Sequence, residues 1–84
     1  MILSRSEMIA MYKHAKKYQQ LGLNIHFYRK AAGLSQMKLA ELVDISRTHM
    51  SRIENNDCAP SLDVVFDIAD VLKVPVHKLF EVRE

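Results

Sequence analysis

The spacing of apolar residues predicts that the chain is built of helices. In the first 20 residues an apolar stripe recurs every three or four positions, the period of an amphipathic helix, and it consists of Met8, Met11, Tyr12, Ala15 and Tyr18. Ser4 and Glu7 have the spacing of a capping box, with Leu3 and Met8 as its hydrophobic staple. We therefore predict a first helix over about residues 5–20, docked on the rest of the chain or on a second subunit.

Gly22 is predicted to interrupt this pattern, and a second helix is predicted over about residues 22–32. Leu21 leads into that helix, and its inward face consists of Ile25, Tyr28 and Ala32. Gly33 suits the left-handed conformation that closes many helices. The expected result is two helices separated by a glycine.

Four further helices are predicted after Gly33. Ser35 and Ser46 are placed to cap helices over residues 36–43 and 46–55. The loop "NNDCAPS" is followed by "LDVVFDIADVLK", a helix whose wide apolar arc comprises Leu62, Val65, Phe66, Ile68, Ala69 and Leu72. Pro75 then opens a short last helix, "PVHKLFE". No segment has the pattern of a strand, so the pattern predicts an all-α bundle of six short helices.

Composition favours one small domain inside the cell. The 84 residues include no apolar run long enough to span a bilayer and no secretory signal at the start. Cys58 is the single cysteine, so no internal disulfide is possible, and the four histidines lack metal-ligand spacing. We expect a cytoplasmic protein with no cofactor, no metal and no membrane association.

The charge is distributed unevenly along the chain. Residues 1–34 carry six basic residues against one acidic residue, giving +5, and residues 35–84 carry six against nine, giving −3. One part of the surface should therefore be basic, which favours a polyanionic partner.

The helix over residues 46–55 has an unusual outer face. At about 100° per residue, five polar side chains fall within an arc of roughly 140° that contains no carboxylate, and they are Arg47, Thr48, Ser51, Arg52 and Asn55. Met50 and Ile53 point to the opposite side. Arginine can bond both acceptors of guanine, and short polar side chains can bond bases or phosphates. This face therefore suits reading of base edges in a DNA major groove, with Gln36 of the preceding helix as a phosphate contact.

The stretch "SQMKLAELVDISRTHMSRIENN" resembles the helix-turn-helix of the lambda-repressor/Cro-like (Xre) family. Counted from Gln36, the fifth position of that motif is alanine, here Ala40. Its apolar positions are occupied by Leu39, Val43, Ile45, Met50 and Ile53. The flanking segments "LGLNIHFYRKAAGLSQ" and "ENNDCAPSLDVVFDIADVLKVPVHKLF" look like the rest of the family domain, so the resemblance covers about residues 21–80.

The resemblance implies roles for particular residues. The positions that read bases fall on Arg47, Thr48 and Arg52 with Ser51 nearby, and the phosphate contacts fall on Gln36, Ser46 and Asn55. Arg29 and Glu54 match a structural salt bridge. Three positions depart from the family pattern: Asp44 and Asn56 stand where glycine is common, and Lys38 replaces a common acid. Asp and Asn tolerate the left-handed conformation, so both turns remain plausible.

The fold that the resemblance implies is a lambda repressor-like five-helix DNA-binding bundle with an extra N-terminal amphipathic helix. We expect an extension over residues 1–20 and a DNA-binding domain over residues 21–84, with the helix-turn-helix at 36–55. The expected function is a sequence-specific transcriptional regulator, a repressor that binds a palindromic operator in double-stranded DNA as a homodimer. The dimer interface is expected at the C-terminal end, through Val76, Leu79, Phe80 and Val82, with the first helix as the other candidate surface.

Two alternatives remain at this point. The same fold could serve as an antitoxin or adaptor that chiefly holds a protein partner, in which case the first helix would matter more than Arg47 and Arg52. An enzyme is disfavoured because no nucleophile–base pair or carboxylate dyad stands out and the chain is too short to frame a deep pocket easily.

Overall fold

All the regular secondary structure in the described part of the chain is helical. The structure is a computed structural model, and it describes Ser4 and residues 13–83. These residues form four α-helices, α1 (Ala15–Ala31), α2 (Gln36–Leu42), α3 (Arg47–Glu54) and α4 (Leu62–Leu72), followed by a 3₁₀ helix over Val76–Phe80. No strand occurs within these residues, which confirms the all-α prediction.

The predicted interruption at Gly22 is wrong. α1 runs without a break from Ala15 to Ala31 and buries Gly22 on its inner side. A Cβ at this position would lie 2.7 Å from the carbonyl oxygen of Glu54 and 2.8 Å from that of Ile53. The glycine therefore lets the backbones of α1 and α3 approach each other closely, although glycine inside a helix costs about 1 kcal/mol relative to alanine.

Half of the first predicted helix, residues 5–12, lies outside the described residues, and its last part, residues 15–20, belongs to the continuous α1. Its capping box and staple, and the stripe residues Met8, Met11 and Tyr12, belong to the undescribed part. Of the remaining stripe, Tyr18 packs against the core and Ala15 is exposed. The division into an extension over 1–20 and a domain over 21–84 stays a prediction.

Serine caps and left-handed residues set the helix boundaries. The hydroxyls of Ser35, Ser46 and Ser61 each accept the backbone N–H three residues ahead, at 3.0, 3.0 and 3.2 Å. Gly33 has a φ of 74°, which confirms the left-handed turn predicted for it. Asp44, Asn56 and Lys73 also have positive φ, at 57°, 64° and 59°. The first two are residue types that tolerate this conformation, whereas lysine at the end of α4 gave no signal of it.

The core draws on every helix and on the loop after α3. Its buried apolar members are Leu21, Ile25, Leu39, Ala40, Val43, Met50, Ile53, Cys58, Val65, Ile68, Ala69, Leu72 and Leu79. Three residues that were expected on inward faces are exposed: Ala32, Leu62 at 64% and Phe66 at 46%. The apolar arc of α4 is wider than the surface that the other described helices cover, so its edge remains outside the core.

Asn24 fastens the C-terminal segment to α1. Its side chain is fully buried, and Nδ2 donates to the carbonyl oxygens of Leu79 at 2.9 Å and Glu81 at 2.7 Å. The last helix is a 3₁₀ helix preceded by Pro75 rather than an α-helix. Within the described residues, no helix has the length and apolar character needed to cross a bilayer.

Candidate nucleic-acid interface

α2 and α3 are joined by a tight turn whose geometry depends on three residues. α2 ends at Leu42, Asp44 takes the left-handed conformation, and the Ile45 N–H donates to the carbonyl of Ala40 at 2.9 Å. Ala40 itself is only 2% exposed, as expected for a small residue at a close crossing of two helices. The predicted turn at Asp44 is therefore confirmed without a glycine.

α3 presents a polar face to solvent. Met50 and Ile53 are buried at 0% and 2% exposure. The four predicted base-reading residues lie together on the outer side: Arg47 and Thr48 are exposed, and Ser51 and Arg52 are half-buried. Because α3 is anchored by its two apolar residues, this face has a fixed orientation relative to α2.

Some of these polar residues have partners within the chain. Arg52 Nη2 donates to the Asp57 carbonyl at 3.1 Å, which ties α3 to the loop that follows it. Asn55 Nδ2 donates to Ser51 Oγ at 3.3 Å. The Ser46 hydroxyl serves as the N-cap of α3, accepting the His49 N–H. Among the four predicted base readers, Arg47 is the exposed arginine.

A buried carboxylate connects α3 to α1 and α2. Glu54 Oε2 accepts from Arg29 Nε at 2.7 Å. Its Oε1 lies 3.1 Å from Arg29 Nη2 and 3.2 Å from Gln36 Nε2. Arg29 Nη1 also donates to the Leu34 carbonyl at 2.8 Å. Arg29 and Glu54 are 6% and 8% exposed, so the pair belongs to the framework, and Gln36 is oriented by it.

His26 completes this cluster, although it was not among the site residues predicted from the sequence. Its Nδ1 lies 3.0 Å from Glu54 Oε1 and 3.2 Å from Arg29 Nη2. A carboxylate at that distance favours the tautomer with the proton on Nδ1. The available signal was weak: His26 precedes Arg29 by one helical turn, a spacing that places the two on adjoining parts of one face.

The surroundings of Glu54 lower its pKa. Burial by itself raises the pKa of this carboxyl group. Hydrogen bonds from Arg29, Gln36 and His26, together with the positive charge of Arg29, outweigh that effect and bring the pKa below its ordinary value. Glu54 is therefore ionised at neutral pH and neutralises the charge of Arg29. The candidate DNA-contacting side chains of the site are then those on the polar face of α3.

The predicted dimer residues do not share one environment. Leu79 is fully buried, so its side chain belongs to the core of the single chain and not to an exposed face. Val76 is half-buried, whereas Phe80 and Val82 are 49% and 79% exposed. Any apolar surface at the C-terminal end therefore consists mainly of Phe80 and Val82. The hydrogen bonds from Asn24 to the carbonyls of Leu79 and Glu81 hold the backbone between these two residues against α1.

A capped helix, a tight left-handed turn and a second helix with a polar outer face define a helix-turn-helix protein. The family model described as helix-turn-helix, HTH_3, matches residues 25–79. The chain belongs to this lambda repressor-like (Xre) family, as the motif at residues 36–55 indicated.

Relatives of known sequence extend the comparison. The chain is 36% identical over 62 residues to the HTH-type transcriptional regulator SinR of Bacillus subtilis, covering 73% of this chain and 56% of that protein. It is 34% identical over 65 residues to SinR of Bacillus licheniformis, covering 76% and 59%. The chain thus spans little more than half the length of these relatives.

Solved structures agree with this assignment. The restriction-modification controller protein C.AhdI of Aeromonas hydrophila superposes with a TM-score of 0.76 at 28% identity, covering 80% of this chain and 97% of that one. SinR in complex with DNA superposes with a TM-score of 0.68 at 35% identity, covering 73% and 98%.

Within the described residues, no group of three His, Cys, Asp or Glu side chains could hold a metal ion.

Proposed function

We propose that the chain is a sequence-specific DNA-binding transcriptional regulator that inserts α3 into the major groove. The observation that carries the proposal is the outer face of α3, which holds Arg47, Thr48, Ser51 and Arg52 on a helix anchored by Met50 and Ile53. An α-helix fits the major groove, and side chains at its start reach base edges. The family to which the chain belongs, and the SinR–DNA complex to which it is similar, support this reading.

The individual contacts follow from exposure and hydrogen bonding. Arg47 is the proposed guanine reader, since its guanidinium matches the two acceptors on the major-groove edge. Thr48 and Ser51 are proposed to contact the bases beside that guanine. Arg52, whose guanidinium also bonds the Asp57 carbonyl in the loop after α3, is proposed to contact a base as well. Gln36, oriented by Glu54, is proposed to use its amide on a backbone phosphate, together with Ser46 and Asn55.

We propose that the active form is a homodimer and that it acts as a repressor in the cytoplasm. A single module of this size reads only a few base pairs, and two-fold symmetric dimers read half-sites about one helical turn apart. The exposed side chains of Phe80 and Val82 supply an apolar surface for pairing at the C-terminal end. The operator would then be a palindrome, with α3 of each protomer in one half-site.

The test is selection of duplexes from a random DNA pool, with wild type, Arg47→Ala and Lys16→Ala in parallel. Lys16 is an exposed residue of α1 outside the proposed interface, so its variant controls for loss of one positive charge. Wild type and Lys16→Ala should enrich the same palindrome, and Arg47→Ala should lose discrimination at one base pair per half-site by about 1–3 kcal/mol. Enrichment of no sequence by wild type would contradict the proposal.

A second candidate function, a protein-interaction module, rests on a different observation. Leu62, Phe66, Phe80 and Val82 are large apolar side chains that remain 46–79% exposed, and SinR is also known in a complex with the SinI protein. If this function were the main one, serine substitutions at Leu62 and Phe80 would abolish partner capture while Arg47→Ala would leave it unchanged.

A further inference from the structure

Two shallow clefts on the surface of α1 share one lysine. The first adjoins the helix-turn-helix and is lined by Arg29, Lys30, Ser35, Gln36, Met37 and Arg47, among others. The second lies further back along α1, and its lining includes His26, Phe27, Lys30 and Arg83. No carboxylate lines either cleft among the described residues. Lys30 therefore connects the proposed reading site to a second basic surface.

The second cleft is held in place by the C-terminal segment. The guanidinium carbon of Arg83 lies 3.3 Å from the centre of the Phe27 ring, a cation–π contact. Two residues earlier, the Glu81 carbonyl accepts from the buried amide of Asn24 at 2.7 Å. These contacts hold Arg83 over Phe27 of α1. Phe27 and Lys30 are three residues apart in α1, which is about one helical turn.

The charges in this region favour a polyanion. Lys30 and Arg83 are both exposed. The buried Glu54 is matched by Arg29, and Glu81 is paired with Lys78 at 3.3 Å. Of the arginine and lysine side chains that line the two clefts, Lys30, Arg47 and Arg83 have no carboxylate partner among the described residues, whereas Arg29 is paired with Glu54.

We infer that the DNA backbone continues along α1 beyond the reading helix, with Lys30 and Arg83 each contacting a phosphate. This inference rests on the proposed function and extends it to two residues outside the helix-turn-helix. Contacts of this kind position a protein on DNA and carry no sequence information. They release counterions, so each one steepens the salt dependence of binding by about 0.9 in the logarithmic slope.

The experiment measures Kd as a function of salt for Lys30→Gln, Arg83→Gln and the double variant. Each protein is measured on the duplex enriched by wild type and on an unrelated duplex of the same length. Lys16→Gln is the matched control, since it removes an exposed lysine of the same helix about 21 Å away along the axis. Thermal unfolding followed by circular dichroism shows whether each variant is folded.

Each single variant should lower the salt slope by about 0.9, and the double variant by about twice that. The ratio of affinities at about 50 and 200 mM salt should accordingly fall roughly 3.5-fold for each lost contact. The loss should be the same on both duplexes, and Lys16→Gln should show none. The Lys30 side chain is exposed, so its variant keeps the test valid even if Arg83→Gln loosens the C-terminal segment.

Three results would overturn the inference. A slope for Lys30→Gln equal to that of wild type would exclude the phosphate contact, and a loss confined to the enriched duplex would make Lys30 a base reader. An equal loss in Lys16→Gln would show a diffuse charge effect. Failure of this inference alone would leave Arg47→Ala deficient in selectivity, whereas failure of the proposed function would appear as wild type without sequence preference.

Discussion

Replacing Gly22 by alanine tests the close approach of α1 and α3. In an isolated helix this substitution stabilises by about 1 kcal/mol, because alanine is the better helix former. In this protein the new Cβ would stand 2.7 Å from the Glu54 carbonyl oxygen and 2.8 Å from that of Ile53. Ordinary van der Waals contact begins at 3.4 Å, so the two backbones must separate by about 0.7 Å.

The expected outcome is a loss of stability. The obstructing atoms are main-chain carbonyls at the end of α3, which cannot turn away as the tip of a side chain can. Overpacking of this kind costs ~1–3 kcal/mol, so after the gain in helix propensity we expect a net loss of up to about 2 kcal/mol. For a domain of this size each kcal/mol lowers Tm by roughly 4–8 °C.

The assay is thermal and urea unfolding monitored by far-ultraviolet circular dichroism, with Gly33→Ala as the matched variant. A Cβ at Gly33 meets nothing within 4 Å, but the φ of 74° strains any other residue, at a cost of about 1–2 kcal/mol. Gly33→Ala should therefore lose stability through conformation alone and keep its DNA affinity, whereas Gly22→Ala should also weaken binding because α3 moves. A Tm for Gly22→Ala above that of wild type would refute the reasoning, because it would mean that the gain in helix propensity exceeds the cost of the close contact.

Four further outcomes follow from the buried cluster and the caps. Arg29→Met leaves the Glu54 carboxylate buried without its main partner and should destabilise the fold by ~3–5 kcal/mol in urea unfolding; an unchanged midpoint would contradict this. Because the pKa of folded Glu54 is lowered, its stabilising contribution is present above the ordinary carboxyl pKa and is lost as pH falls through the folded value, so Glu54→Gln should flatten the acid limb of stability against pH. Asn24→Ala leaves the Leu79 carbonyl unpaired and should cost about 1–3 kcal/mol, with faster hydrogen exchange in the C-terminal segment. Ser46→Ala removes the cap of α3 and should cost ~1 kcal/mol, and an equal loss in Thr48→Ala would show that capping is not the cause.

Local signals were sufficient for the helix-turn-helix itself. Ser35 and Ser46 stand one residue before their helices, and Gly33 and Asp44 are residue types that accept a positive φ. Capping and left-handed turns involve residues no more than about four positions apart, so the residue types and their spacing along the chain are enough to predict them. The polar face of α3 was visible for the same reason, since Met50 and Ile53 mark its buried side.

Contacts between distant residues could not be derived in this way. When only its neighbours in the chain are considered, a glycine inside a helical pattern predicts a break in the helix. Gly22 instead lies within a continuous helix, where its missing side chain makes room for the backbone of Ile53 and Glu54. The same holds for Leu62 and Phe66, whose apolar character placed them inside, although no described helix covers that edge of α4.

The sequence by itself determined the helical class, the caps, the turn between α2 and α3, and the residues on the outer face of α3. The tertiary structure alone decided that α1 is continuous, that His26 and Gln36 share the carboxylate of Glu54 with Arg29, and that Asn24 fastens the C-terminal segment. The physical reason is one of range. Helix propensity, capping and left-handed turns are properties of a few consecutive residues, whereas close backbone approach and buried hydrogen bonds depend on which distant residues the packing brings together.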